Sequence, residues 1–381
     1  MPNDAPPITP PFSPPAPPKN PPEPPPGTPT LLHQQPEPLP VDPLTVTSDR
    51  GASLPPTNPP SPRFGLTLSS EEHAPSRLVA MGRQAEDAGF HFVSVSDHFH
   101  PWTGAQGHSP FVWSVLGALA VTTNSLDLAV GVSCPTIRIH PAIVAQAAAT
   151  TSLLADGRFT LGVGTGEALN EHIFGDRWPP PEIRRSQLRE AVEVIRSLWS
   201  GDTVDHHGPH YTVENARLFD PPEVNPPIVV SGFGDDAVDL AAEIGDGYWG
   251  HAPDAGVVTR FHDRGGRGPR FAQVNVCVGP EEEACRKVVE RVWPLGGIPG
   301  QLHQDLPTWS HFEMAAEMVT TDQATENIPC GPNLEAVAER VEAFVGAGYD
   351  HVYLHQIGPD QGALFNAWHS GLRDLLLSAA R

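Results

Sequence analysis

The sequence has little of what would place a protein outside the cell, in a bilayer or on nucleic acid. It holds 4 cysteines, Cys134, Cys277, Cys285 and Cys330, whose spacing matches neither a zinc motif nor a disulfide framework. Basic residues are scarce: 23 Lys and Arg against 45 Asp and Glu leave a formal net charge of −22. Such a surface repels phosphate backbones and anionic lipid, so neither nucleic acid nor a membrane surface is an expected partner. No apolar run reaches the roughly 20 residues that a membrane-spanning helix requires. The N-terminus lacks a basic stretch followed by an apolar one, so no secretory leader is expected and a reducing cytoplasm is the simplest compartment. Apolar periodicity is missing from residues 1–62, which hold 24 of the 46 prolines. With so little surface to bury, this tail is expected to be disordered or polyproline II. A solvated extension and a ligand for a proline-binding module are both open for it.

Residues 63–381 are long enough for one large α/β barrel or two ordinary domains. Phe64–Leu68 reads as a strand, and Pro75 opens a helix with Leu78, Met81, Ala85 and Ala88 on one face. Phe92–Val95 is the next strand. Further strands are expected at 126–132, 159–163, 228–230, 274–278 and 351–355, with Gly247–Gly250 as another strand end. Helices are expected at 110–121, 141–154, 182–199, 236–244, 281–292 and 334–345, with a closing helix from 361. A polar excursion at 201–219 reads as a surface hairpin. Strand and helix alternate throughout, which is the signature of a parallel sheet. About eight such units favour a closed (β/α)8 barrel over an open sheet. Residues 294–332 break the rhythm and are expected to be an insertion, either covering the site or forming an irregular surface loop.

Two polar constellations follow apolar strands. Ser96-Asp97-His98-Phe99-His100-Pro101-Trp102 comes after Phe92–Val95, and Gly164-Thr165-Gly166-Glu167-Ala168-Leu169-Asn170 comes after Phe159–Val163. Parallel α/β folds carry their chemistry at the carboxyl ends of strands, so the two stretches are expected to be two walls of one site. Three readings are open for Asp97-His98-Phe99-His100. A metal could be ligated by His98 and His100 with His140, His172, His251 or His355, although no carboxylate farther along is matched to the pair. His98 could be a hydrogen-bonded core histidine. Or His98 could transfer protons, with Asp97 orienting its surroundings. Gly162-x-Gly164-x-Gly166 lacks the dinucleotide-binding spacing and fits a tight turn where a ligand approaches the backbone. Glu167 within it could pass a proton to a ring nitrogen of a bound heterocycle.

Taken together, Ser96-Asp97-His98-Phe99-x-Pro101-Trp102 and Gly162-Val163-Gly164-Thr165-Gly166-Glu167-Ala168-Leu169-Asn170 closely resemble the luciferase-like barrel oxidoreductases that use the deazaflavin coenzyme F420 (8-hydroxy-5-deazaflavin). Within these they resemble the subgroup of F420-dependent glucose-6-phosphate dehydrogenase. The likeness runs from about Phe64 to the C-terminus and leaves out the proline-rich tail. It implies a luciferase-like TIM barrel with insertions and a homodimer. His98 would be the acid/base, Trp102 would flank the reacting carbon, and Glu167 would serve the proton traffic of the ring. Glu71 matches an active-site carboxylate of the subgroup, while a first-turn helix acid is its ordinary alternative. Asp97, Thr165, Gly166 and Asn170 would line the deazaflavin. Gly131-Val132 would be a non-prolyl cis peptide behind the ring, and Cys134 stands where the dehydrogenase has a threonine. Gly232, Phe233, Gly234, Asp236 and Ala237 would approach the phosphate-bearing tail at a helix N-terminus.

The departures from the subgroup concern the substrate. Asp254, Leu302 and Glu326 align with three basic side chains that hold the sugar phosphate there. Two acids and a leucine cannot neutralise a phosphate dianion, and the acids would repel it, so glucose 6-phosphate is not the expected substrate. Trp249, Trp309, Phe312 and Leu302 point to a less charged, more apolar one, or else to ordinary core packing. The expectation is hydride transfer between F420 and a small-molecule alcohol or its carbonyl, without a metal. A flavin mononucleotide-dependent monooxygenase of the same superfamily and a non-catalytic deazaflavin-binding protein remain open alternatives.

Overall fold

Alternating apolar strands pair in register around a barrel, and the polar ends of those strands gather at one rim. The computed structural model describes residues 61–379, so the expected disordered tail at 1–62 lies, but for its last two positions, outside the described residues. Strands β1 (Arg63–Leu68), β2 (Phe92–Val95), β3 (Asp127–Ser133) and β4 (Phe159–Val163) come first, followed by a hairpin of β5 (Val204–His207) and β6 (Thr212–Ala216). Then come β7 (Ile228–Ser231), β8 (Gly247–Gly250), β9 (Arg270–Val278), β10 (Cys330–Gly331) and β11 (His351–Gln356). The order β9-β11-β1-β2-β3-β4-β7-β8 closes through β8 and β9, all parallel, and β10 adds outside β9. This is a closed (β/α)8 barrel.

Strands such as Phe92-Val93-Ser94-Val95 are buried on both faces, as parallel strands covered by helices must be. Outward side chains such as Val93, Leu128 and Leu161 join the helices in one large core. Inward ones, Phe92, Ala129, Val229, Trp249, Phe271 and Tyr353, fill the barrel. The Trp249 indole donates to the Tyr353 hydroxyl at 2.7 Å and stacks on Phe271. This indole explains Gly131: a Cβ there would lie 2.2 Å from Ser94 Oγ and 2.6 Å from the Trp249 ring. The Gly131–Val132 peptide is cis, and the pairing of β3 with β4 shifts register between Val130 and Ser133.

The stretch at 294–332 is folded rather than irregular. It holds short helices at Leu302–Asp305, Trp309–Ala316 and Thr321–Thr325, and Leu295, Ile298 and Phe312 form a cluster with Trp102 and Leu169. A helix at Ala255–Asp263 is a further element that the apolar pattern does not announce. Among the described residues, no helix is long and apolar enough to cross a membrane.

Candidate active site

The ends of β1, β2 and β4 bring three titratable side chains together. His98 Nε2 lies 3.4 Å from Glu71 Oε1 and 3.6 Å from Glu167 Oε2. The imidazole retains 12% exposure, and Glu167, at 30%, opens toward the rim. Glu71 sits on the connection from β1 to a helix that begins only at Pro75 and has no acid in its first turn, which removes the helix-acid alternative. Its far oxygen accepts hydrogen bonds from Ser69 Oγ at 2.9 Å and Ser96 Oγ at 2.6 Å, which turns Oε1 toward the imidazole. Burial raises the Glu167 carboxyl above its ordinary range, and the Glu71 charge adds to the rise while His98 pulls against it.

Asn170 fixes this group. Its Oδ1 accepts the backbone N–H of Phe99 at 2.9 Å and of His100 at 3.2 Å. Its amide nitrogen is thereby directed at His98 Nδ1 and Glu167 Oε2, each 3.1 Å away. His98 Nδ1 also lies 3.3 Å from the His100 carbonyl oxygen. The ring can therefore donate from Nδ1 to that carbonyl or accept there from Asn170, so Nε2 can carry or release a proton with its other nitrogen satisfied either way.

Trp102 covers the imidazole, with ring centroids 5.0 Å apart and a 55° tilt. It is buried because Phe312 meets it edge-on at 5.0 Å and His303 at 6.2 Å. His100 turns away from His98, its Nδ1 lying 3.0 Å from the Leu169 carbonyl oxygen, so the two histidines do not converge as a metal pair.

The other expected residues fall into three groups. Val132 lies over the bare backbone of Gly162 and Gly164, with Gly131, Cys134, Thr165 and Gly166 half-buried beside it. Asp97 is turned into the wall: its carboxylate takes Ser133 Oγ at 2.6 Å and Arg138 Nη2 at 2.9 Å, and its side chain is 1% exposed. Gly232, Phe233, Gly234, Asp236 and Ala237 form the turn from β7 into the helix Asp235–Ile244. Phe233 is exposed and stacks on His251 at 4.1 Å, and the Asp236 carboxylate points outward to Arg185 at 2.9 Å.

Of the aligned phosphate positions, Asp254 caps the helix Ala255–Asp263 by accepting from Gly256 N at 2.8 Å. Glu326 lines a shallow depression against helix Leu334–Gly346. Leu302 is exposed, and its neighbour His303 meets Trp102. Sequence patterns did not single out Arg138, Glu171 or His303, whose partners are distant in the chain, nor Ser69, whose hydroxyl meets Glu71 two residues on in a turn without a motif.

Residues 61–351 match the model of the family described as luciferase-like monooxygenase, and the chain belongs to that family. Within it, the chain is similar to an F420-dependent hydroxymycolic acid dehydrogenase from Mycobacterium tuberculosis, 34% identical over 311 residues, covering 79% of this chain and 85% of the relative. An F420-dependent glucose-6-phosphate dehydrogenase from Mycolicibacterium fortuitum is 33% identical over 331 residues, covering 82% and 98%. Among solved structures, an F420-dependent secondary alcohol dehydrogenase in complex with an F420–acetone adduct superposes with a TM-score of 0.76 at 27% identity, covering 84% of this chain and 99% of that one.

Proposed function

We propose that this chain is an F420-dependent oxidoreductase transferring a hydride between the deazaflavin and an apolar alcohol or its carbonyl. The observation that carries the reading is the placement of His98 Nε2 within 3.6 Å of two carboxylates under the Trp102 indole. The kinship with F420-dependent dehydrogenases supports it.

The chain fits the cofactor on two counts. Beside His98, the backbone of 131–132 and 162–166 offers a surface with small side chains. At the other end, the helix Asp235–Ile244 has no side-chain cap at Gly234, whose φ is 77° and whose Cβ position meets nothing within 4 Å. Unclaimed amides at a helix N-terminus suit an anionic group. The acids of that first turn are drawn aside, Asp235 by Arg260 at 3.0 Å and Asp236 by Arg185 at 2.9 Å. Gly131, Val132, Cys134, Thr165, Gly166 and Asn170 would hold the ring, with Asp97 supporting it from within the wall. Gly232, Phe233, Gly234 and Ala237 would meet its tail.

Bound there, the deazaflavin supplies a hydride acceptor or donor at its C5 carbon. His98 takes the hydroxyl proton of the alcohol on Nε2, or returns it to the carbonyl oxygen in reverse. Glu71 and Glu167 stabilise the imidazolium so formed. Trp102, backed by Phe312 and Leu295, keeps water from the developing charge.

A cytoplasmic homodimer is part of this reading. Helices Val112–Thr122 and Pro141–Leu154 carry no charged residue, yet leave Val121, Ile143, Leu153 and Leu154 exposed, as faces awaiting a second copy would. Binding titrations with F420, flavin mononucleotide and nicotinamide cofactors, followed by an alcohol and carbonyl panel, test the function. F420 binding with turnover of apolar alcohols is expected. Yellow protein that consumes oxygen and ignores F420 would reassign it as a flavin monooxygenase.

A further inference from the structure

Arg138 has no role in the chemistry above, although it is a buried cation bonded to the residue before His98. It lies in the connection between β3 and the helix Pro141–Leu154, with only 6% of its side chain exposed. Its Nη2 donates to Asp97 Oδ1 at 2.9 Å. Its backbone N–H donates to Glu171 Oε2 at 2.6 Å, and its Nε faces Glu171 Oε1 at 3.6 Å. Both carboxylates are buried, at 1% and 0% exposure.

What the arginine grips matters more than its own position. Asp97 immediately precedes His98, and Glu171 immediately follows Asn170. Asn170 is the residue whose amide spans His98 and Glu167 at 3.1 Å each. The segments beyond β2 and β4 that present the proton-handling groups are thus held from behind by one residue. The Arg138 guanidinium bonds Asp97, one position before His98. Its backbone N–H bonds Glu171, one position after Asn170, with Nε facing the same carboxylate at 3.6 Å. A guanidinium is planar and rigid, so its bond to Asp97 and the charge contact of its Nε with Glu171 are held in a fixed relation that a lysine would not give. One cation between two buried carboxylates also leaves a surplus negative charge. Burial first, and Asp97 after it, push the Glu171 carboxyl up to about 7 against the pull of Arg138.

We infer that Arg138 is a positioning residue: by clamping Asp97 and Glu171 it sets the distance between His98 and the Asn170–Glu167 pair. The inference rests on the proposed role of His98, but part of its test does not.

The first measurement uses the cofactor-free protein. The His98 imidazole carbon resonance is assigned by its loss in H98Q and followed in R138M, R138K and R138M/E171Q. The double variant removes the cation together with one carboxylate, which guards against a single variant that fails to fold. Expected is a displaced or split His98 resonance in each folded variant, drawn back toward the wild-type position when guanidinium is added to R138M. The second measurement is F420-linked turnover. A positional slip of about 1 Å lowers rates by up to roughly 100-fold, so kcat should fall about 10- to 100-fold, with KM for the alcohol within roughly threefold. A folded R138M or R138M/E171Q protein with an unmoved His98 resonance and wild-type kcat overturns the inference. Should the wild-type protein not turn over with F420 at all, the functional reading fails, and the resonance alone decides the role of Arg138.

Discussion

Glu71 and Glu72 are neighbours in the chain, yet each meets a histidine from a different strand end. Glu71 faces His98 beyond β2 at 3.4 Å, while Glu72 grips His355 of β11 at 2.6 Å. The far oxygen of Glu71 is served by two hydroxyls, Ser69 and Ser96. That of Glu72 is tied to the backbone N–H of Gly358 at 2.6 Å. His98 keeps 12% exposure and a second carboxylate, Glu167; His355 keeps 2%. Burial pushes the Glu72 carboxyl up, but His355 and the Gly358 amide outweigh it and hold the group below its ordinary range. The same pair of functional groups is thus a closed strut at one position and an open pair at the other, which under the proposed function would be the proton exchanger. What separates them is about 1 Å of distance, a wet edge and a spare acid.

The comparison breaks first at His98. His98→Ala should lower kcat by about 10²- to 10⁴-fold, the span of general acid–base contributions, with F420 affinity and melting temperature little changed. Steady-state kinetics beside a cofactor titration check this, and full turnover in the variant would remove His98 from proton transfer. The mirror change is Glu72→Gln, which replaces the buried carboxylate shared by His355 Nε2 and the Gly358 N–H. It should cost about 1.5–3 kcal/mol of stability, the worth of a hydrogen bond to a charged group, read by chemical denaturation, while kcat per folded molecule stays far closer to wild type than in His98→Ala. If Glu72→Gln instead kept its stability and lost its turnover, the division between strut and exchanger would be wrong.

The exchanger was far more legible in the sequence than the strut. His98, Trp102 and Glu167 lie in two compact runs, each following an apolar strand whose limits, Phe92–Val95 and Phe159–Val163, coincide with the folded ones. Local pattern carries such sites because strand, turn and side chain are contiguous. Glu71 was ambiguous because it lies just before the helix that Pro75 opens, where an acid can serve the helix end as readily as a site; the folded helix has no acid in its first turn. The Glu72–His355 pair spans 283 positions, and nothing local marks either residue as the other's partner. Arg138 was invisible for the same reason. The barrel followed from alternation, but β9 begins at Arg270 rather than 274, since its first residues are only intermittently apolar and owe their strand to pairing with β11. The helices within 294–332 are short and are held by distant packing, Phe312 on Trp102 and Ala324 against Cys277 and Val289, which periodicity cannot report.

Next to the strut, His73 sharpens the contrast by its pH dependence. It is 6% exposed, and burial lowers its pKa from 6.5 to about 4, with Glu72 pulling upward and His355, Arg77 and His108 pushing down. The folded state therefore favours neutral His73. That contribution is whole above pH 6.5 and is lost as pH falls toward 4, a loss of up to about 3 kcal/mol. Denaturation curves at pH 7 and pH 4.5 should show a smaller drop in His73→Gln than in the wild-type protein. An equal drop would mean that His73 protonates in place without cost.

The smallest effect tests why Glu71 stays available to His98 while Glu72 does not stay available to anything. Ser96 Oγ donates to Glu71 Oε2 at 2.6 Å and lies 2.9 Å from the backbone N–H of Ser70. Together with the Ser70 hydroxyl, which donates to the Ser96 carbonyl at 2.8 Å, it joins the β1 turn to the β2 end. A hydrogen bond to a charged group is worth about 1.5–3 kcal/mol net, and Ser69 still serves the same oxygen, so Ser96→Ala should cost the lower end, roughly tenfold in kcat. Because the lost bond orients a carboxylate and touches no substrate, KM should hardly move. Were KM to rise with kcat unchanged, Glu71 would be a substrate-binding acid, and its pairing with His98 would be incidental to proton transfer.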